Sequence, residues 1–389
     1  MARKPIVNTN INGSDYFRTR LLIGIDKEGK KLYKNFYGKS KGEAESLKKD
    51  YILALEKGIN PDLGSIPLEK AIHDWLWTVE RSSGNKSSTF ERHESTYRNY
   101  VEGSMISKIP VSQIGKIIIL KYYNELIETG KSYKVLENLH KFLSKFFRYA
   151  LSEGYIVRNP LVGLKLPREN EDDIEDQDVN IETLSDEEIK RILDSVGNKK
   201  LKYIILFAFM TGARMGEILA LEKKDIKGDI VRINKSLRTV RVYEDEDNYK
   251  YELKVTRPKT KSSNREVPLP ETLKRELKNL NILVKEEKLK LGPAYEDNDL
   301  LFPSTTGTYI EAKNLRRSWE RAIKKAAVPH KKFHSLRHTY ATRMIENEVQ
   351  LLTVSRLLGH SSIKTTEIYA HTLEDTKFEA VKTFDAMFN

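Results

Sequence analysis

The segment ENEDDIEDQDVN, residues 169–180, constrains this chain more than any other stretch. It is acidic and almost without apolar side chains, so no hydrophobic core can run through it. It reads as an exposed connection at which the fold must divide. A second punctuation, GINPDLGSIP at 58–67, has the Gly, Pro and Asn content of a linker. At 389 residues the chain exceeds what one ordinary core accommodates. Three domains are therefore expected, over residues 1–58, 65–168 and 180–389. No internal repeat is evident.

The fold class expected is multidomain α+β. The first domain is a small β-sheet with a helix: DYFRTRLLIGI and KKLYKNFYGK are rich in aromatic and branched residues around a DKEGK turn, which predicts a β-hairpin. Ser40 followed by Glu43 is a capping-box signature, and the helix it opens places Leu47, Tyr51 and Leu55 on one face. This first sixth of the chain supplies half of the net charge of +12. An excess of that kind suggests a polyanionic partner, with a solvated basic surface as the plainer explanation. Arg18 and Arg20 on the hairpin are the candidate contacts.

The second domain reads as all-helical. Leu68, Ile72, Trp75, Leu76 and Val79 form one apolar stripe, and helical patterns continue over 88–101 and 111–128. In SYKVLENLHKFLSKFFRYALSEGY, Val135, Leu139, Phe142, Phe146 and Tyr149 recur at helical spacing. Lys134, Lys141, Lys145 and Arg148 line another face, a basic stripe suited to following phosphates. The third domain is mainly helical with a small antiparallel sheet. A Ser185/Glu188 capping box opens it, YIILFAFMTGARMGEILAL reads as mostly buried helix, and DIVRIN and NREVPLP read as short strands.

The chemistry concentrates in that third domain. Arg214 lies in a segment so apolar that its charge needs a partner or a ligand, and Glu217 is placed to be a structural partner. His334 and Arg337 share an HxxR spacing near a helix start, and His360 follows a glycine that ends an apolar helix. Singly, these residues have structural explanations: a salt bridge, a cap, a core tyrosine at 369. Together they supply two guanidiniums for the non-bridging oxygens of a phosphodiester, two imidazoles for hydrogen bonds or proton transfer, and a phenol as nucleophile. A phenol ionises near pH 10, so Tyr369 needs neighbouring cations to react at neutral pH.

In order and spacing, ARMGEILAL, HSLRHTYATRM and LLGHSSIKTTEIYAH, with a PKTKSSNREVPL hairpin between the first two, resemble the catalytic domain of the tyrosine recombinases, the site-specific integrases of phages and conjugative transposons. The helical domain resembles that family's core-binding domain and the basic N-terminal module its arm-binding domain. The resemblance implies that Arg214 and Arg337 clamp the scissile phosphate, that His334 moves the proton of Tyr369, and that His360 donates to a non-bridging oxygen. A hairpin lysine, Lys259 with Lys261 as the alternative, would protonate the leaving 5′-oxygen. The implied reaction is strand exchange through a 3′-phosphotyrosyl link and a Holliday junction, with no metal, cofactor or ATP. Implied partners are double-stranded DNA at core and arm sites, a homotetramer, a directionality factor and a host DNA-bending protein.

Rival chemistries fit less well. His334 and His338 have the spacing of a helical zinc pair, but Ser335 stands where HExxH needs glutamate, and the chain has no cysteine. His338 is expected to pack or to support a neighbour. No GxxxxGK[ST] loop occurs. A type IB topoisomerase shares the Arg, Lys, His and Tyr chemistry, and an inactive DNA-binding relative is the other alternative. The absence of cysteine, of a signal peptide and of a long apolar run predicts a cytoplasmic protein without membrane contact, and the resemblance implies nucleoid association and a bacterial or phage origin. Thr372 and Asp375 resemble a capping box opening a terminal helix, with Leu373, Phe378, Val381, Phe384 and Phe388 on its apolar side. That helix either folds back on its own domain or docks on a neighbouring protomer.

Overall fold

The computed structural model describes residues 9–369 except 12, 27, 85–86, 168–180, 198 and 258–260. The acidic segment, Lys259 and the terminal helix expected after Thr372 thus lie outside the described residues. Contacts divide the chain into two compact units, Met1–Asp173 and Ile174–Asn389. The architecture is mixed α and β, with helices predominating and every sheet small and antiparallel. Among the described residues no helix is long and apolar enough to cross a membrane.

The first unit opens with a three-stranded antiparallel sheet, β1 Thr9–Ile11, β2 Ser14–Ile25 and β3 Lys31–Gly38, in sequence order. Arg18 pairs with Tyr37 and Arg20 with Asn35, and a bulge lies between Leu22 and Gly24. Helix α1, Lys41–Glu56, packs against this sheet, with the Ser40 side chain accepting from the Glu43 N–H. The face shared by Leu47, Tyr51 and Leu55 is only partly the packed one. Leu47 and Leu55 are exposed, whereas Ala44 is buried and Tyr51 meets the Phe36 ring edge-on. Gly38 sets how the helix lies: a Cβ there would lie 2.5 Å from the Ala44 nitrogen, so sheet and helix touch at a glycine–alanine contact.

The GINPDLGSIP segment is a packed connection, not a free linker. Asn60 caps a short helix, α2 Pro61–Gly64, with proline at its first position. The Asp62 carboxylate accepts from the Tyr51 hydroxyl at 2.9 Å and pairs with Lys34, while the Asn60 N–H donates to the Gly154 carbonyl at 2.9 Å. Asn-Pro marked a helix start that the segment's Gly and Pro content had suggested was slack.

A helical bundle follows in this unit. Helix α3, Leu68–Trp75, runs into a π-helical turn over Leu76–Glu80, followed by α4 Ser87–Tyr100, α5 Lys116–Glu128 and α6 Tyr133–Ser152. The wider π turn breaks the apolar stripe. Val79 faces outward, and Glu80, 2% exposed, turns inward to His93 Nδ1 at 2.8 Å and Lys145 Nζ at 2.6 Å. Trp75 packs on Phe142 and Phe146 at the centre of the bundle.

In the second unit the Ser185/Glu188 capping box opens α7, Asp186–Ser195. The segment 203–221, expected to be mostly buried helix, is two helices: α8 spans Lys199–Thr211, Gly212 takes φ +61°, and α9, Met215–Ile218, begins after Arg214 in extended conformation. Strands β4 Ile226–Lys227, β5 Ile230–Ile233 and β8 Arg265–Pro268 form one antiparallel sheet. Strands β6 Ser236–Tyr243 and β7 Tyr249–Thr256 form a separate two-stranded sheet that the two expected short strands did not include. β7 pairs with β6 and β8 with β5, so among the described residues the strands on either side of PKTKSSN belong to different sheets and are not the two arms of the expected hairpin. Helices α10 Glu271–Leu291, α11 Ala312–Lys325, α12 Ser335–Glu346, α13 Leu351–Leu358 and α14 Lys364–Glu367 follow.

The break at Gly212 is dictated by packing. A Cβ there would lie 2.6 Å from the Tyr340 ring and 2.8 Å from Leu358, where α8, α12 and α13 converge. Gly212→Ala meets both the left-handed backbone and this clash, and is expected to cost about 2–4 kcal/mol. Urea denaturation would show a lowered midpoint with an unchanged slope; an unaltered midpoint would remove the packing argument.

Candidate active site

Arg214 stands at the end of the α8–α9 break, half-buried. Its Nη1 donates to Glu217 Oε1 at 2.9 Å, and its backbone N–H donates to Glu217 Oε2 at 2.9 Å. Glu217 is buried and serves a second guanidinium, accepting from Arg265 Nη2 at 2.9 Å. Burial pulls the Glu217 carboxyl up, but the Arg265 hydrogen bond and the charges of Arg265 and Arg214 outweigh it, leaving the group below its usual range. Glu217 thus ties the N-terminus of α9 to strand β8.

Arg337, 2% exposed, lies on α12 and reaches the two neighbouring helices. Its Nη1 donates to the Gly212 carbonyl at 2.7 Å, and its Nη2 to the Leu358 carbonyl at 2.7 Å and to His360 Nε2 at 2.9 Å. These carbonyls end α8 and α13, where helices leave acceptors unmatched. Burial, then Arg214 and Arg265, press its affinity for its proton downward.

His360 follows Gly359, whose φ of +68° ends α13 in the left-handed conformation. Guanidinium is only a donor, so His360 Nε2 accepts from Arg337 and the ring proton sits on Nδ1, donating to Thr366 Oγ1 at 2.7 Å. Burial and the charges of Arg337, Arg214 and Arg265 hold the imidazole neutral, pushed down to about 4. In this tautomer Nε2 has no proton to give, so the expected donation to a phosphate oxygen requires the Arg337 contact to be exchanged first.

Tyr369 is 2% exposed and belongs to a core cluster with Tyr340, Ala341, Ile345, Val354 and Leu358. Its hydroxyl lies 2.8 Å from Nδ1 of His338. Burial raises the phenol's pKa, opposed by Arg337 and Arg214. The imidazole on the hydroxyl is therefore His338, which the sequence had suggested packs or supports a neighbour. His334, expected to move that proton, meets His338 edge-on with ring centroids 4.7 Å apart. His334 has one side open to solvent, yet its remaining burial, then His338, Arg337 and Arg214, keep it neutral. Both imidazoles can accept a proton.

Six of the expected residues, Arg214, Glu217, His334, Arg337, His360 and Tyr369, gather around the break in α8, the start of α12 and the end of α13. Lys259 lies outside the described residues, and Lys261 begins a one-turn helix ahead of β8. Elsewhere, Lys134 and Lys141 flank Glu137 at 2.5 and 2.8 Å, Lys145 turns to buried Glu80, and Arg148 remains exposed on α6. Arg18 and Arg20 project from the exposed face of β2, with Arg20 4.6 Å from the Tyr33 ring centroid. Sequence reasoning missed Arg265, Thr366 and the direct contact of His338 with the Tyr369 hydroxyl. The signal for Arg265 was a charge at an inward position of the alternating strand NREVP.

His360 sets a pH expectation. Its folded pKa, about 4, lies below the ordinary value near 6.5, so the neutral form is favoured by folding. The stability this contributes is complete above about pH 6.5 and is lost as pH falls toward about 4. Chemical denaturation across that window should show declining stability, and His360→Asn, which retains a donor toward Thr366, should flatten the decline. An unchanged slope in the variant would contradict the assignment.

The phage integrase family model matches residues 182–375, the unit that holds these side chains. A tyrosine recombinase XerC-like protein of Caldanaerobacter subterraneus subsp. tengcongensis is 40% identical over 396 residues, covering 100% of both chains. The ICEBs1 integrase of Bacillus subtilis is 27% identical over 286 residues, 72% of each chain. Among solved structures, the Tn1549 transposon integrase in complex with transposon right end DNA superposes with a TM-score of 0.64 at 20% identity, covering 82% of this chain and 99% of that one. A lambda integrase dimer bound to a COC′ core site gives 0.57 at 18% identity and 95% coverage of each. Those two likenesses concern the fold. The full-length relative at 40% identity carries more: this chain belongs to the phage integrase family of tyrosine recombinases.

Proposed function

We propose that this protein is a site-specific DNA recombinase that exchanges strands of a mobile element through a 3′-phosphotyrosyl intermediate. The observation that carries the reading is a preformed cationic site, Arg214, Arg337 and Arg265 around the single carboxylate of Glu217, beside a tyrosine already hydrogen-bonded to a neutral imidazole. Among the described residues, the three guanidiniums and the one carboxylate hydrogen-bonded to two of them leave an excess of two positive charges, with Glu182 acting only on His338. A phosphodiester has one negative charge and its pentacoordinate transition state two, so the site matches the state to be stabilised better than the ground state.

The Tyr369 oxygen attacks phosphorus while its proton passes to His338 Nδ1. Arg214 and Arg337 hold the non-bridging oxygens, and His360 joins them once its contact with Arg337 is exchanged. The bond to the 5′-oxygen breaks, and Lys259, or Lys261, gives that oxygen a proton. A 3′-phosphotyrosyl link and a free 5′-hydroxyl result, conserving the bond energy. A 5′-hydroxyl of a partner duplex then attacks the phosphotyrosine, and a second exchange resolves the Holliday junction.

Residues 1–58 and 65–168 would hold arm and core DNA, through the Arg18 and Arg20 face of the sheet and the basic stripe on α6. The ion pairs of Lys134 and Lys141 with Glu137 are surface pairs, weak enough for phosphates to displace. The relatives are recombinases and integrases, which does not favour the topoisomerase reading.

Covalent capture tests the reading. The protein is incubated with nicked duplexes of randomised core sequence, and adducts are isolated on denaturing gels and sequenced. The wild type should yield an adduct on recovered duplexes, and Tyr369→Phe none; an adduct in the Phe variant would remove Tyr369 from its role. Deleting residues 376–389 should leave duplex binding within about threefold yet abolish higher-order complexes, as expected if the tail joins protomers. Intact synaptic complexes from the truncated chain would refute that part.

A further inference from the structure

We propose that Arg265 is a positioning residue for Arg214, keeping its charge available to the scissile phosphate by sharing Glu217. The inference rests on the recombinase reading and concerns a residue outside the set that the family resemblance supplied.

Arg265 is buried in strand β8. Its Nη2 donates to Glu217 Oε2 at 2.9 Å, and its Nε donates to the Leu357 carbonyl at 2.6 Å. Buried Nη1 finds no partner among the described residues. A guanidinium left with an unmatched buried donor is costly, so fold stability alone is a poor reason to place it there. The chemistry of the neighbours supplies another reason.

Glu217 is the only carboxylate in the hydrogen-bond set described for this site, and it touches Arg214 twice. Without Arg265, Glu217 and Arg214 would form a closed pair of net charge zero. Such a pair offers little to an incoming phosphate. With Arg265 on the other oxygen, the trio has net charge +1, and the carboxylate's field is divided between two cations. Arg214, half-exposed, keeps most of its attraction for an external anion and is still held in register through Oε1.

The second arm of Arg265 adds a geometric role. Leu357 and Leu358 present the last carbonyls of α13: Arg265 takes the first and Arg337 the second. A Cβ on Gly359 would lie 3.2 Å from Arg265 Nη1 and 2.9 Å from the Ser262 carbonyl, so the lysine-bearing connection and the start of the His360 segment meet at this side chain. One guanidinium therefore sets the distance between the first arginine of the site and the segment leading to Tyr369.

The test separates charge from shape. Two duplexes are compared in the covalent-capture assay, one recovered as above and one identical but with a neutral methylphosphonate at the scissile position. Arg265→Gln loses the charge and the arm that reaches Glu217, keeping an amide donor at the level of Nε toward Leu357; Arg265→Lys keeps the charge. Thermal melts establish that each variant is folded. Arg265→Gln is expected to slow capture on the phosphate duplex by about tenfold to a hundredfold, the scale of one weakened electrostatic contact in a transition state. On the methylphosphonate duplex, whose ground state is neutral and whose transition state carries one negative charge instead of two, the loss should be smaller, within about threefold of wild type. Arg265→Lys should retain the wild-type ratio between the two duplexes. Equal losses on both duplexes, or no loss on either, would overturn the proposal, and an unfolded Gln variant beside a Lys variant with an altered ratio would do the same. Absence of any adduct with the wild type would instead overturn the recombinase reading.

Discussion

A guanidinium inside a protein must have its donors met, and the way Arg337 meets them determines much of the second unit. It spends three hydrogen bonds on the carbonyl that ends α8, the carbonyl that ends α13, and the His360 ring. Removing the side chain would strand two carbonyls and an imidazole in the interior. The glycines on either side follow from the same requirement. Gly212 and Gly359 both adopt positive φ, turning the chain so that helix-terminal carbonyls point at one guanidinium, and neither has room for a Cβ. The α8 break, which brings Arg214 into reach, is a consequence of this convergence.

The site's electrostatics are consistent with a protein that binds an anion without first having to charge its own acids. His334, His338 and His360 are all held neutral by burial and by nearby cations. The positive charge resides on arginines, which do not titrate near neutrality, so imidazoles are left to accept or relay protons. The raised pKa of Tyr369 has the same origin as its place in the core, since desolvation is its largest cause. An anion entering beside it would draw on cations already in place, with no reorganisation needed to assemble them.

Much of this was legible in the sequence because the chemistry-bearing residues sit at element boundaries. Arg214 after a glycine, His334 at a helix start and His360 after another glycine are readable as local signals. What was not legible depended on contacts distant in sequence. Arg265 is one charged residue in a short strand, and only the fold brings it to Glu217, 48 positions earlier. His338 looked like packing because its partner is 31 residues downstream. The face that α1 buries was not stated by its leucines, because the close contact of Gly38 with Ala44, and not the leucine stripe, sets how that helix lies. The β6–β7 pair escaped because strands were sought in short apolar runs, whereas SLRTVRVY and YKYELKVT alternate apolar with charged residues.

The docked connection at 60–64 has a consequence for how the first unit would hold DNA in the function proposed above. A slack tether lets two surfaces search separately, and its closure entropy is lost when both engage. Here Asp62 and Asn60 have already fixed the hairpin module to the bundle through Tyr51, Lys34 and Gly154. That entropy was lost on folding, so the Arg18–Arg20 face and the α6 stripe present themselves as a single preset gauge. Their separation would be read by the ligand as a fixed length, and a residue inserted at 60–64 would change that length instead of being absorbed.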